Sequence, residues 1–171
     1  MDSLEIVKNE LTAPIEAAGY TVRRGWNNTI ATQLVELSLQ PHIEHMTPND
    51  ADRRFTTVEA AHQWYAAHER AVYTLGHSAV AGLIWFGRTE ESEHGDYTFA
   101  IRMYEEAQGK HLARPFMQAA HADFLAETPD VPSIWLDTRV DNERAAILYE
   151  KVGYTTVDRI DDRYVMVYTP K

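Results

Sequence analysis

Asn142 and Tyr149 carry the first chemistry that this sequence suggests: an amide able to hold a polar ligand and a phenol able to give up a proton. They stand in the stretch S-I-W-L-D-T-R-V-D-N-E-R-A-A-I-L-Y-E-K-V-G-Y, from Ser133 to Tyr154. Its first half, Ile134 to Val140, has the branched and aromatic residues of a short strand. Asp141 and Asn142 supply a cap, Glu143 to Lys151 are good helix formers, and Gly153 is a stop signal. Wound at about 100° per residue, Asn142, Ala146 and Tyr149 fall within a narrow arc flanked by Ala145. Glu143, Arg144, Glu150 and Lys151 take the opposite side. The stripe thus offers an amide, small methyl groups and a phenol, and a thin ligand could lie along it. On the helix alone it reads first as an alanine-lined helix packed close on a sheet, with Tyr149 an ordinary half-buried aromatic.

The string D-N-E-R-A-x-x-L-Y-E-K-x-G-Y resembles the last motif of the GNAT superfamily of acyl-CoA-dependent N-acyltransferases, and Asn142, Tyr149 and Gly153 match residue for residue. The resemblance implies that Asn142 and Tyr149, with Ala145 beside them, face the pantetheine and thioester of coenzyme A. It implies acetyl-CoA as cosubstrate, no metal, and an amine on a small molecule or protein as acceptor.

A second stretch bears on the same ligand. Glu105 to Ala113, E-E-A-Q-G-K-H-L-A, joins a strand to a helix with Leu112, Phe116, Ala119, Ala120 and Phe124 along one face. A polar turn entering a helix leaves backbone N–H groups free, and with the helix dipole they form an anion site. The turn is similar to the GNAT pyrophosphate loop, Q/R-x-x-G-x-G/A: Gln108 and Ala113 match its ends, and Gly109 supplies the second Gly of a common spelling. His111 stands at the central Gly, where an imidazole either takes the phosphates' room or donates to them. Cofactor binding is therefore expected of Gln108, Gly109, Lys110, His111, Leu112 and Ala113, with Lys110 and Arg114 as nearby cations. Pro115 removes one donor from the opening turns. The resemblance also places the backbone of Ile101, Met103 and Tyr104 around the pantetheine, while the side chains of Ile101 and Met103 read as core.

Acyl transfer from a thioester to an amine needs a bound donor, a polarised carbonyl, a neutral amine and a proton for the departing thiolate. Tyr149 is the expected general acid, since a phenol near pKa ~10 stays protonated at neutral pH beside a thiol near ~8.5. For the base, the resemblance points to the borders of the acceptor groove, with Glu44, Asp50 and Asp52 on one side and Asp161 and Asp162 on the other. Taken singly, each reads first as a solvated surface charge. A non-catalytic module that senses CoA or mediates protein contacts is the alternative on the same fold.

Composition sets the frame around these residues. A chain of 171 residues is enough for one domain, 1–171, with 44% hydrophobic and 25% charged residues in the range of globular proteins. No apolar run nears ~20 residues and the start is no signal peptide, so no membrane association and a cytoplasmic location are expected. The absence of cysteine excludes disulfides, thiolate metal sites and a Cys nucleophile. His42 and His45 in H-I-E-H are the nearest approach to metal-ligand spacing. With 26 acidic against 16 basic residues the net charge is −10, which disfavours nucleic acid and suits a cationic small molecule or a lysine-bearing partner. A homodimer is left open.

The elements that must position the site follow in order. Residues 2–18 read as a short helix, started by Asp2 with Glu5 and broken near Pro14; Tyr20 to Gly25 reads as a strand. Asn27 or Asn28 caps a helix to Leu39, a polar connection follows Pro41, and further helix starts lie at Thr47-Pro48-Asn49-Asp50 and Thr56-Thr57-Val58-Glu59. Ala71 to Leu75 and Ala79 to Arg88 are strands joined at Gly76-His77-Ser78. An acidic loop from Thr89 to Gly95 leads to a strand from Asp96 to Tyr104, and Val157 to Tyr168 forms a final hairpin. The expectation is a mixed α/β, GNAT-like fold: a mostly antiparallel twisted sheet of about six to seven strands, flanked by helices on both faces.

Overall fold

The computed structural model describes residues 4–89 and 92–171; Asp2 as a helix start, and Glu90 and Glu91 in the acidic loop, lie outside the described residues. Among the described residues one twisted sheet of eight strands runs in the order β1-β2-β3-β4-β5-β6-β8-β7. Every neighbouring pair is antiparallel except β5 with β6.

The added strand lies at the start. β1 (Glu5–Ile6) pairs with β2 (Thr21–Arg24), Glu5 opposite Arg24. Two residues set no period, so this short edge has no signature in the sequence. In place of a broken helix over 2–18 there follow a 3-10 turn at Glu10–Thr12, capped by the Asn9 side chain, and α1 (Ala13–Ala17). Pro14 sits in the first turn of α1, where its missing N–H costs nothing, so it starts this helix rather than breaking one.

α2 (Asn28–Leu37) is capped by Asn27, whose side chain accepts from the Ile30 amide. The segment after Pro41 is α3 (Pro41–Met46), not a loop, and Thr47–Asn49 leads into a π-helical turn, Asp50–Arg54, not an α-helix. α4 (Val58–Ala66) begins at the cap Thr57. β3 (Ala71–Gly76), β4 (Val80–Arg88) and β5 (Tyr97–Met103) form the meander. α5 (Ala113–Glu127), β6 (Ile134–Arg139), α6 (Glu143–Val152), β7 (Tyr154–Ile160) and β8 (Arg163–Tyr168) complete the chain. Gly153 ends α6 at φ 126°, a conformation that L side chains rarely adopt.

The two faces of the sheet bury separate cores. On one, Phe116, Met117, Ala120 and Phe124 of α5 meet Tyr73, Phe86, Phe99 and Ile134, with Phe86 and Phe124 stacked at 4.1 Å. On the other, Ile30, Leu34, Ala61 and Trp64 of α2 and α4 cover Val72, Leu83 and Trp85. Each large side chain so buried stabilises the fold by about 1.5–3 kcal/mol. His121 lies inside the first core. Its Nδ1–H donates to the Met117 carbonyl at 2.7 Å, and its Nε2 accepts from the Tyr154 hydroxyl at 2.7 Å. Burial pushes its pKa down to about 4, so the ring is neutral and serves to tie α5 to β7.

α6 is the exception to this packing. It has no fully buried residue, and its Tyr149 packs edge-on against Phe99 at 6.4 Å. Leu148, Tyr149 and Val152 rest half-buried on the first core, and the Asn142 and Tyr149 side of the helix borders the seam beside it.

Candidate active site

That seam is where β5 and β6 part. The strands pair only at Tyr97 with Ile134 and Thr98 with Trp135, although β5 runs on to Met103 and β6 to Arg139. β4 holds β5 over its full length and β8 holds β6 over its full length, so the sheet opens at this one join. A cleft of about 740 Å³ occupies the opening. It is lined from β5 and β6, from α3 and the π-helical turn on one side, and from Asn142 and Tyr149 of the α6 stretch on the other.

Strand alternation decides what faces the cleft. The Tyr104 amide donates to the Ala81 carbonyl on β4 at 3.0 Å. One residue earlier the backbone points the other way, so the amides and carbonyls of Met103 and Ile101 turn toward the opening. The Met103 carbonyl accepts from Gln108 Nε2 at 3.1 Å and lies 3.0 Å from His42 Nε2, and the Ile101 carbonyl accepts from Arg102 Nη1 at 3.0 Å. Among the described residues no strand lies opposite the amides of Ile101 and Met103. Tyr104 differs from these two: its amide is spent on Ala81, its carbonyl accepts from Ala107, and its side chain is buried. The backbone amide that the resemblance expected Tyr104 to offer is therefore not free.

Tyr149 reaches the cleft half-buried, and its hydroxyl meets no hydrogen-bond partner among the described residues. Burial pushes its pKa up; the Arg102 guanidinium pulls against this and Asp137 adds to it, so the phenol stays protonated. Asn142 sits at the start of α6 with its side chain uncommitted to the helix, and Ala145 is half-buried one turn on.

The loop before α5 supplies a second group of free donors. None of the amides from Gly109 to Leu112 donates to an acceptor among the described residues, and no side chain caps α5. Gly109 has φ 74° and His111 φ 58°, so the chain takes the left-handed conformation that explains Gly at such a position, and here an imidazole residue adopts it. Pro115 falls in the first turn of α5, where no helical bond is lost. Lys110 is engaged elsewhere, its Nζ donating to the Tyr20 hydroxyl at 2.7 Å, while Arg114 is exposed beside the loop. None of Gln108 to Arg114 lines the cleft itself, but Gln108 Nε2 reaches the carbonyl of Met103, which does. Because a non-Gly residue in the left-handed region costs about 1–2 kcal/mol, His111→Gly is expected to raise stability by about 1 kcal/mol in urea unfolding. A fall instead would show that the imidazole itself holds the loop.

The acidic candidates separate sharply. Asp50 is fully buried and accepts from Arg102 Nε at 2.7 Å, Arg102 Nη2 at 3.2 Å and Arg54 Nη1 at 3.0 Å. Enclosed in this way, it cannot serve as a base for an amine. Glu44, Asp52, Asp161 and Asp162 are exposed and do not line the cleft. The carboxylate that does is Asp137, which sequence reasoning missed. In I-W-L-D-T-R the alternation already puts Trp135, Asp137 and Arg139 on the face away from buried Ile134 and Leu136. His42 also lines the cleft, while His45 is exposed outside it. Glu93, His94 and Asp158 bring one ligand atom each within 4.8 Å of one another, and none of the three lines the cleft. Among the described residues no helix is long and apolar enough to cross a membrane.

Comparison with known proteins gives the geometry a family. No curated protein matches the sequence. The fold is shared by the spermidine N-acetyltransferase of Vibrio cholerae in complex with CoA and spermine, at 18% identity and TM-score 0.69 over 89% of this chain and 96% of that one. It is shared by the aminoglycoside acetyltransferase AAC(6')-Ib in complex with coenzyme A and kanamycin, at 22% identity and TM-score 0.68 over 88% and 94%. It is shared too by the ribosomal-protein-S5-alanine acetyltransferase of Vibrio fischeri, at 15% identity and TM-score 0.70 over 96% of both chains. The sequence model of the acetyltransferase (GNAT) domain matches residues 24–155, a span holding the opened seam, the loop before α5 and the whole α6 stripe. The chain belongs to the GNAT acetyltransferase family.

Proposed function

We propose that this domain moves an acetyl group from acetyl-CoA to a primary amine, with Tyr149 as the general acid. One observation carries the reading: an unpaired phenol hydroxyl stands in the seam of a parted sheet, together with Asn142 and the strand that bears the unpartnered amides of Ile101 and Met103. The three structural relatives are each named for transfer to an amine, on spermidine, an aminoglycoside or an alanine of a ribosomal protein.

The residues fit such a cosubstrate. The free amides of Gly109 to Leu112, at the positive end of α5, suit a pyrophosphate. Asn142 and the amides of Ile101 and Met103 suit the amide groups of a pantetheine arm threaded through the seam. When bound, acetyl-CoA supplies an activated acyl group on a sulfur. As the amine nitrogen bonds to the acyl carbon and the C–S bond breaks, Tyr149 gives its proton to the departing thiolate. His42 takes the proton from the amine: a carbonyl only accepts, so Nε2 carries the hydrogen directed at Met103 and Nδ1 keeps its lone pair. Exchange with solvent restores both groups.

Binding tests the reading before turnover does. Acetyl-CoA at ~100 times its dissociation constant is expected to stabilise the fold by ~2.7 kcal/mol, which raises the melting temperature by roughly 5–10 °C in a chain of this size. An unshifted melting transition at millimolar acetyl-CoA, in folded protein, contradicts it.

A further inference from the structure

The cleft has the opposite electrostatic character to the molecule around it. The chain carries a net −10, yet among the described residues the cleft is lined by Arg54, Arg102, Arg139 and Arg163 against the single carboxylate of Asp137. These arginines are not equally available. Arg102 is only 10% exposed and spends Nε and Nη2 on Asp50 and Nη1 on the Ile101 carbonyl. Arg139 donates twice to Asp141, at 3.0 and 2.8 Å.

Arg54 stands apart. Only its Nη1 is engaged, on Asp50 Oδ1, and 32% of its side chain is exposed, so Nε and Nη2 have no partner among the described residues. Asp50 is one buried carboxylate shared by two guanidiniums, so the group keeps a net positive charge, and Arg54 is its exposed member. Arg54 lies 5.5 Å from the Trp85 ring, and Arg102 lies 4.8 Å from the same ring. Asp137 offers the complement: both bonds from Arg163, at 2.8 and 2.7 Å, fall on Oδ1, leaving Oδ2 open.

One cleft thus presents an open guanidinium for an anion and an open carboxylate oxygen for an amine. We infer that the acceptor is an amine carrying its own anionic group, a carboxylate or a phosphate, which the free donors of Arg54 take over the Trp85 face. The inference rests on the acetyltransferase reading of the cleft. It separates this chain from enzymes whose acceptors are polycations, because a second ammonium at the Arg54 end meets a like charge, and among the described residues the one carboxylate lining the cleft, Asp137, serves the reacting amine.

The test uses three amines of one length with acetyl-CoA: 5-aminopentanoate, pentylamine and 1,5-diaminopentane. The expected order of kcat/KM is the carboxylate first by about tenfold or more, pentylamine, which has no second charge, next and the diamine last. O-Phosphoethanolamine against ethanolamine distinguishes a phosphate from a carboxylate as the favoured anion. In Arg54→Gln the ratio of 5-aminopentanoate to pentylamine should fall toward one, and Arg54→Lys should recover part of it. A diamine used as well as the carboxylate, or a ratio that survives in Arg54→Gln, overturns the inference. The wild-type series stands even where a variant fails to fold. Should no amine turn over, the acetyltransferase reading fails, and equilibrium binding of the three amines to the CoA-loaded protein, followed by NMR, still decides the anion preference by the same order.

Discussion

Asp50→Ala is expected to destabilise the protein by about 3–5 kcal/mol, the cost of leaving a buried guanidinium without its counter-ion. Asp50 is fully buried and Arg102 nearly so, and the variant strips two of the three hydrogen bonds that Arg102 makes. Arg54 would lose the bond that orients it as well. Equilibrium urea unfolding reads the change as a fall in midpoint without a change in slope. Exchanging both partners for apolar residues of similar volume, Asp50→Leu with Arg102→Met, should cost much less than the single change, because no charge is then stranded. A single-variant loss below about 1 kcal/mol would mean that water reaches the guanidiniums and that the ion pair does not fix the cleft wall.

Tyr149→Phe tests the other wall and separates chemistry from binding. The ring keeps its edge contact with Phe99, so stability and CoA affinity should hardly move. The rate of acyl transfer should fall by ~10²-fold or more if the proton for the thiolate comes from this hydroxyl. The loss should shrink as the thiol leaving group is made more acidic, since a better leaving group needs less help. Undiminished turnover, measured where chemistry limits the rate, removes Tyr149 from the mechanism.

How much of this was legible in the sequence depends on the distance over which each feature is decided. The α6 stripe was legible because helix and stop are local, the run from Glu143 to Val152 ending at Gly153 with positive φ, although the Asn142 side chain does not make the expected cap bond. The meander was legible because Gly76-His77-Ser78 interrupts two apolar strands, and the ladder of β3 with β4 follows from that turn. The loop before α5 was legible as a set of free amides, but not in its side chains. Lys110 turns to Tyr20, 90 residues away in the chain, and no local pattern encodes that.

The chemistry of the acceptor wall was hidden for the same reason. Asp50 looked like a first-turn acid, a common surface choice, and became the buried hub of the cleft wall only through Arg102, 52 residues later. The net charge of −10 pointed to a cationic partner, whereas among the described residues the cleft is lined by four arginines and one carboxylate; a sum over the surface does not report the sign at one site. Asp137 and Trp135 could have been found, because strand alternation alone puts them on the face opposite the core of β6.

The central claim is that the opened seam transfers an acetyl group rather than merely holding a ligand. Mass spectrometry of the amine after incubation with acetyl-CoA tests it most directly, with 5-aminopentanoate as acceptor and wild-type protein beside Tyr149→Phe. The account predicts an acetylated amine formed in step with free CoA thiol by the wild type, and a rate lower by ~10²-fold in the variant. Acetyl-CoA that stabilises the wild-type fold while neither this amine nor any other in the series gains an acetyl group would contradict it, and would mark the domain as a binding module on an acetyltransferase fold.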